Sequence, residues 1–157
     1  MKFRLVYIVH LMIFVFLAAS IVQAVIRLSD ILEATGDDFS FSSNYFKSSF
    51  RPIIFLIFPT IGIFVRNKIG WVFITQYLYF LICNMLITSY NYENLTVILI
   101  PVLLIFLCLF IINKQKVSFN YYKTKKENLI RFNLISFVIG FCISILLFIY
   151  KNIYYLN

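Results

Sequence analysis

Residues Leu5–Ile26, LVYIVHLMIFVFLAASIVQAVI, form an uninterrupted run of 22 residues without a charged side chain. As an α-helix this run rises about 33 Å, which is enough to cross the roughly 30 Å hydrocarbon core of a bilayer. Comparable apolar runs recur along the chain, and the charged residues are confined to the segments between them. The pattern predicts an all-α fold, a polytopic transmembrane helix bundle that forms a single membrane domain over residues 1–157.

The composition excludes a soluble globular domain. Of the 157 residues, 62% are hydrophobic and 13% are charged, whereas an ordinary soluble domain carries about a quarter charged residues. So few polar side chains would not cover the surface of a soluble protein of this size. We therefore predict an integral membrane protein, and our hypothesis for its location is the bacterial inner (plasma) membrane.

Charge-free windows divide the chain into five candidate spans. The predicted spans cover about residues 5–26, 52–65, 69–89, 95–112 and 132–150. They leave an exterior loop over residues 27–51 and a basic cytoplasmic loop over residues 114–131. The 14 residues of the second window rise only about 21 Å, so a re-entrant segment, leaving four full spans, is the alternative there. In the exterior loop, the apolar residues of RLSDILEA have helical spacing, which favours continuation of the first helix to Gly36.

The distribution of basic residues predicts the orientation of the chain. With the N-terminus inside, the interior segments carry ten Lys and Arg residues and the exterior segments carry four. This bias follows the positive-inside rule, so we expect a cytoplasmic N-terminus. The segment that ends at Ala24 also has the features of a signal peptide, but the length of its apolar run favours an uncleaved helix.

The basic cytoplasmic loop, KQKVSFNYYKTKKENLIR, holds six basic residues against the single acid Glu127. Thr124 and Glu127 have the spacing of a capping box, which predicts that the last helix begins inside this loop. Anionic membrane lipids are the nearest polyanion. Docking of a cytosolic protein partner is the alternative, and binding of nucleic acid is disfavoured by the topology. The residues assigned to partner or lipid docking are Lys123, Lys125, Lys126, Tyr121 and Tyr122.

Small and polar residues mark two helix faces inside the predicted spans. Ser136, Gly140 and Ser144 recur at every fourth position, which favours close approach of another helix, either within the chain or in a second copy as a homo-oligomer. Gln76 and Asn84 are eight residues apart in the third span and form an intramembrane polar face. Interhelical hydrogen bonding is the simpler hypothesis for this face, and a polar track for a solute is the alternative.

A proline, a histidine and three cysteines also lie within the predicted spans. Pro59 is in the middle of the second span, so a kink or break is predicted there. His10 is the one candidate for proton chemistry, but hydrogen bonding to a neighbouring helix is favoured because a relay needs a second titratable group. Cys83, Cys108 and Cys142 match no metal or redox spacing and are predicted to be buried thiols.

Catalytic motifs are absent from the sequence. It contains no HExxH zinc motif, no GxSxG elbow, no glycine-rich phosphate loop and no pair of intramembrane aspartates. We therefore predict that the protein is not an enzyme and uses no cofactor and no metal.

Two function classes remain. The first is a non-enzymatic interaction protein that acts through helix-helix contacts and its basic loop. The many Ile, Phe, Lys, Asn and Tyr residues beside only 4 glycines suggest AT-rich codons. This composition motivates two specific hypotheses, a phage-defence membrane subunit and a toxin-immunity protein. The second class is a small oligomeric channel or transporter.

Overall fold

The computed structural model describes residues 4–35, 44–88 and 95–155. These residues form six helices and no strand, which confirms the all-α prediction. The helices are α1 (Arg4–Thr35), α2 (Asn44–Phe64), α3 (Lys68–Thr88), α4 (Leu95–Asn113), α5 (Gln115–Asn120) and α6 (Lys126–Tyr155).

Among the described residues, three stretches of helix are long and apolar enough to cross a membrane: Val6–Asp30 in α1, Lys68–Ile87 in α3 and Lys126–Tyr150 in α6. The described apolar parts of α2 and α4, Ile53–Phe64 and Leu99–Asn113, are shorter. These helices are what a membrane-embedded bundle requires, because a helix of about 20 apolar residues matches the hydrocarbon thickness.

Helix occupies the described parts of residues 27–51, the segment predicted to lie outside the membrane. α1 continues to Thr35, as the helical spacing of RLSDILEA indicated, and α2 already begins at Asn44. Each residue added to an existing helix gains a backbone hydrogen bond without a new nucleation cost, so both helices extend beyond their apolar windows. Residues 36–43, which include Gly36, lie outside the described residues.

Helix α3 lies at the centre of the bundle and packs against α2, α4 and α6, whereas α1 packs against α2 and α4. Trp71, Ile74 and Leu78 of α3 are buried in the core. Large apolar side chains on the outer faces remain exposed, for example Leu11 (63%) and Leu134 (63%). A surface of this kind suits lipid, since apolar patches of this extent are rare on soluble monomers.

The connection between α2 and α3 is a tight helical hairpin. Asn67 Oδ1 accepts hydrogen bonds from the backbone N–H groups of Ile69 at 2.8 Å and Gly70 at 3.3 Å, which caps the start of α3. A Cβ atom on Gly62 would lie 2.7 Å from the carbonyl oxygen of Gly70, so the two helices meet at backbone contact distance. Pro59 is buried within α2, which continues uninterrupted to Phe64, so the helix is not broken there.

The basic loop, residues 114–131, is more ordered than predicted. It contains α5 and a turn at residues 121–122, and α6 begins at Lys126, inside the loop as expected. The capping box is not formed, because the Thr124 hydroxyl donates to the carbonyl oxygen of Ser118 at 2.7 Å instead of capping α6. The hydroxyl stabilises the fold of the connection and leaves Glu127 without its predicted capping partner.

Candidate interaction surface

The α2–α3 turn and the segment after α4 meet at one end of the bundle. The guanidinium carbon of Arg66 lies 5.4 Å from the centre of the Tyr121 ring, a cation-π distance. Nearby, Trp71 Nε1 donates a hydrogen bond to the carbonyl oxygen of Ile112 at 3.3 Å. The start of α3 is therefore fixed to the end of α4 and to the turn after α5.

The first helix reaches the same end through a buried polar contact. His10 Nε2 lies 2.9 Å from the Tyr122 hydroxyl, and the His10 ring lies 5.5 Å from the Tyr121 ring, centre to centre. Burial raises the pKa of the Tyr122 hydroxyl, and the neighbouring Tyr121 raises it further. The hydroxyl therefore stays protonated and available as a donor to the histidine. Here His10 is bonded to a neighbouring segment, the simpler of the two roles considered for it.

Tyr121 and Tyr122 are not part of an exposed docking surface, so their assignment to docking is corrected. Tyr121 is 7% exposed and Tyr122 is 0% exposed, and both rings pack into the core of the bundle. Their position follows from the buried His10, whose polar nitrogen needs a hydrogen-bond partner in an apolar surrounding. The sequence did not separate the tyrosines from the adjacent lysines, because a short turn has no periodicity that distinguishes inside from outside.

Basic side chains are exposed at this end of the bundle. Among the side chains that the structure describes, seven exposed basic residues lie there, and we call them the basic end: Arg66, Lys68, Lys114, Lys123, Lys125, Lys126 and Arg131. Within the described part of the chain, Glu127 is the one acid located there. The sequence predicted three lysines of this surface as docking residues. The structure adds Arg66 and Lys68, which are remote in sequence and are placed there by the α2–α3 turn.

The backbone that carries Lys123, Lys125 and Lys126 is held by hydrogen bonds on its buried side. Both the backbone N–H and the hydroxyl of Thr124 bond to the carbonyl oxygen of Ser118, at 3.0 and 2.7 Å. Lys123 has a φ of 54°, a left-handed conformation that is uncommon for a residue with a side chain. A conformation of this kind persists only when its neighbours fix it. The backbone positions of the three lysines are therefore defined.

The small-residue face of α6 packs within the chain, against α3. A Cβ atom on Gly140 would lie 2.8 Å from the carbonyl oxygen of Gln76 and 2.8 Å from the backbone nitrogen of Phe80. Ser136 accepts a hydrogen bond from the Thr75 hydroxyl at 2.9 Å. Ser144 donates to the carbonyl oxygen of Phe80 at 3.2 Å. Because α3 covers this face, it is not open to a second copy of the chain.

Asn133 joins three helices and was missed in the sequence. Its side-chain oxygen accepts a hydrogen bond from the Tyr79 hydroxyl at 3.0 Å. Its side-chain nitrogen donates to Asn113 at 2.8 Å. Asn133 lies three residues before Ser136, so its polar side chain at the start of an apolar run was the available signal.

The two residues of the predicted polar face have different surroundings. Gln76 lines a small cleft of about 40 Å³ between α2, α3 and α6. Asn84 is half-buried two turns further along α3 and does not line this cleft. The pair therefore does not form one continuous site.

The three cysteines do not share one environment. Cys83 and Cys108 are buried as predicted, whereas Cys142 is exposed, so the prediction is wrong for that residue. Cys142 lies two residues after Gly140, so it is on the side of α6 that faces away from α3. Cys108 Sγ lies 3.2 Å from Met12 Sδ and contributes to α1–α4 packing. Among the described side chains, no three His, Cys, Asp or Glu residues are grouped to hold a metal ion.

Comparison of the chain with protein-family models, with curated proteins and with solved structures finds no match.

Proposed function

We propose that this chain is a non-enzymatic interaction protein of the membrane, and that its basic end docks an acidic surface of a soluble protein. The observation that carries this proposal is the exposure of Lys123, Lys125 and Lys126 on a connection whose backbone is anchored by Thr124 and Tyr122. Complementary charge steers association and fixes the orientation of a partner.

The proposal includes a topology of five spans with the N-terminus in the cytoplasm, or four if α2 does not cross. Three segments predicted to be cytoplasmic meet at one end: the beginning of α1, the α2–α3 turn and the α4–α6 connection. The contacts of Tyr122 with His10 and of Tyr121 with Arg66 join them. This convergence supports the topology, because alternate connections of an up-and-down bundle lie on the same side of the membrane.

Anionic lipid headgroups are the competing ligand for the basic end. Attraction of a basic segment to lipid depends mainly on the number of charges near the surface. The left-handed Lys123 and the paired hydrogen bonds of Thr124 instead fix the relative positions of the backbone atoms that carry these charges. Charges on a fixed backbone can match the charge pattern of a folded protein surface. We therefore favour a folded protein as the ligand.

The basic end also favours one of the two biological settings. A phage-defence membrane subunit would recruit a cytosolic partner through this surface. A toxin-immunity protein would use its exterior or intramembrane surface, which leaves the ordered connection without a role. We therefore place the protein in the first setting. In both settings the proposed location is the bacterial inner membrane.

An oligomeric channel or transporter is the second candidate function, and Gln76 is the residue that motivates it. The cleft lined by Gln76 has a volume of about 40 Å³, which is too small to conduct a solute through a single copy of the chain. A conducting path would have to form between several copies of the chain. Solute flux in liposomes would be the observation in its favour.

Affinity purification in mild detergent, followed by native mass measurement, tests the docking proposal. We expect a soluble protein to accompany the wild-type chain and to be lost from the variant K123E/K125E/K126E. The matched control K123R/K125R/K126R keeps the charge and should keep the partner. Because charge reversal could also invert the membrane topology, the orientation of each variant is checked with a protease-sensitive terminal tag. Equal recovery of the partner with the Glu variant in the correct orientation would remove the basic end from the mechanism.

A further inference from the structure

A cleft with aromatic walls opens on the side of the bundle between α2 and α6. Five aromatic side chains line it together with one carboxamide: Phe55, Phe58, Phe73, Gln76, Tyr77 and Phe80. The cleft is open at the surface, and Phe58 at its edge is 47% exposed. Four of the lining residues, Gln76 among them, belong to α3.

Gln76 differs from the other polar side chains of α3 near it. Thr75 bonds to Ser136, and Tyr79 bonds to Asn133. The Gln76 side chain has no hydrogen-bond partner in the part of the chain that the structure describes. The carboxamide can donate two hydrogen bonds and accept two. All four are therefore available to a group that binds at the cleft.

An unpaired carboxamide at the depth of Gln76 is unfavourable in free energy. Within the candidate span Lys68–Ile87, Gln76 lies about 12 Å along the helix from one end and about 16 Å from the other. That position is near the middle of the hydrocarbon, where no water satisfies a polar group. A carboxamide left without a partner at this depth favours association with a group that supplies hydrogen bonds.

The size of the cleft and the depth of Gln76 together indicate which group supplies the hydrogen bonds. The acyl chains of lipids offer no hydrogen bond, and their headgroups lie at the interface, about 12 Å from Gln76 by helix rise. A cleft of about 40 Å³ accepts one small polar group and not a drug-sized molecule. A polar side chain on a neighbouring transmembrane helix satisfies both conditions, and such contacts drive helix association in membranes.

We propose that the cleft is a contact between two copies of this chain, in which the two Gln76 side chains hydrogen-bond to each other. Copies inserted by the same rule have the same orientation, so a two-fold axis between them lies along the membrane normal. Such an axis places each residue opposite its own counterpart at the same depth. A carboxamide is both donor and acceptor, so two Gln76 side chains complement each other with two N–H···O bonds.

The test is the pairing of fluorescently labelled chains in lipid vesicles, counted by single-molecule photobleaching over a range of dilutions. Wild-type chains should bleach in two steps. The variant Q76L should weaken the pairing by about tenfold, as expected for the loss of two interhelical hydrogen bonds. The control Q23L makes the same chemical change at an exposed residue near the far end of the α1 span and should pair like the wild type.

Single-step bleaching of the wild type at all dilutions, or unchanged pairing of Q76L, would overturn the proposal. Loss of folding is not expected in Q76L, because leucine is of similar size and removes an unpartnered polar group. If Q76L nevertheless loses its helical circular dichroism, Q76N decides: its shorter carboxamide should weaken pairing, and unchanged pairing rejects the contact. The variant K123E/K125E/K126E should still pair, because the cleft and the basic end share no residue.

Discussion

His10 and Tyr122 are 112 positions apart in the sequence, and His10 Nε2 lies 2.9 Å from the Tyr122 hydroxyl in the buried end of the bundle. The contact joins the first helix to the connection that carries the exposed lysines. On its inner side this connection presents tyrosines to the core, and on its outer side it presents Lys123, Lys125 and Lys126 to solvent. The stability of the connection and the geometry of the basic end are therefore linked.

Replacement of Tyr122 by Phe should loosen this connection. The ring is retained, but the hydroxyl is lost and His10 loses the partner shown in the structure, which should lower the free energy of unfolding by about 1–3 kcal/mol. The measurement is thermal or denaturant unfolding in detergent, together with hydrogen exchange of residues 117–125, which should become faster. The control Y7F removes the hydroxyl of an exposed tyrosine and should change neither quantity. Unchanged exchange in Y122F would show that the hydroxyl does not stabilise the connection.

Replacement of Gly140 by Ala should separate α6 from α3. The added methyl group would stand 2.8 Å from backbone atoms of Gln76 and Phe80, neither of which moves without a shift of the whole helix. The expected loss of stability is about 1–3 kcal/mol, typical of overpacking in a tight contact. The control C142A lies two residues away on the exposed side of α6 and should be close to neutral. A G140A variant as stable as the wild type would contradict the close approach of the two helices.

A double-mutant cycle should detect the hydrogen bond between Thr75 and Ser136. The variants T75V and S136A, alone and combined, are compared in their free energies of unfolding. We expect a coupling energy of about 0.6 kcal/mol, the average for interhelical hydrogen bonds in membrane proteins. The pair Thr60 and Ser136 provides the control, because Thr60 bonds to a carbonyl oxygen within α2. Strictly additive effects of T75V and S136A would contradict the bond.

The sequence predicted the α6 side of the α3–α6 contact but not its partner. Ser136, Gly140 and Ser144 have a period that marks a narrow helix face, so their role in packing could be inferred locally. Which helix covers that face depends on the tertiary arrangement, and helical spacing alone did not exclude a second copy of the chain. The structure places α3 against this face, with the Thr75 hydroxyl bonded to Ser136.

The loop segments were harder to predict than the apolar helices. Charge indicated correctly that Lys123, Lys125 and Lys126 are exposed, since ionised side chains are costly to bury. The burial of Tyr121 and Tyr122 depends on His10, more than a hundred positions away, and the Thr124 hydroxyl bonds to Ser118 instead of forming the capping box. Long-range contacts of this kind leave no mark in a local pattern.

The most direct test of the docking function is the affinity of the co-purified soluble protein for the chain in nanodiscs of neutral lipid. Neutral lipid removes anionic headgroups, so binding reports the contact between the two proteins alone. We expect the wild type and K123R/K125R/K126R to bind with similar dissociation constants, and K123E/K125E/K126E to bind at least about a hundredfold more weakly. Equal affinity of the Glu variant, or binding of the wild type only when anionic lipid is present, would contradict docking of a protein at the basic end.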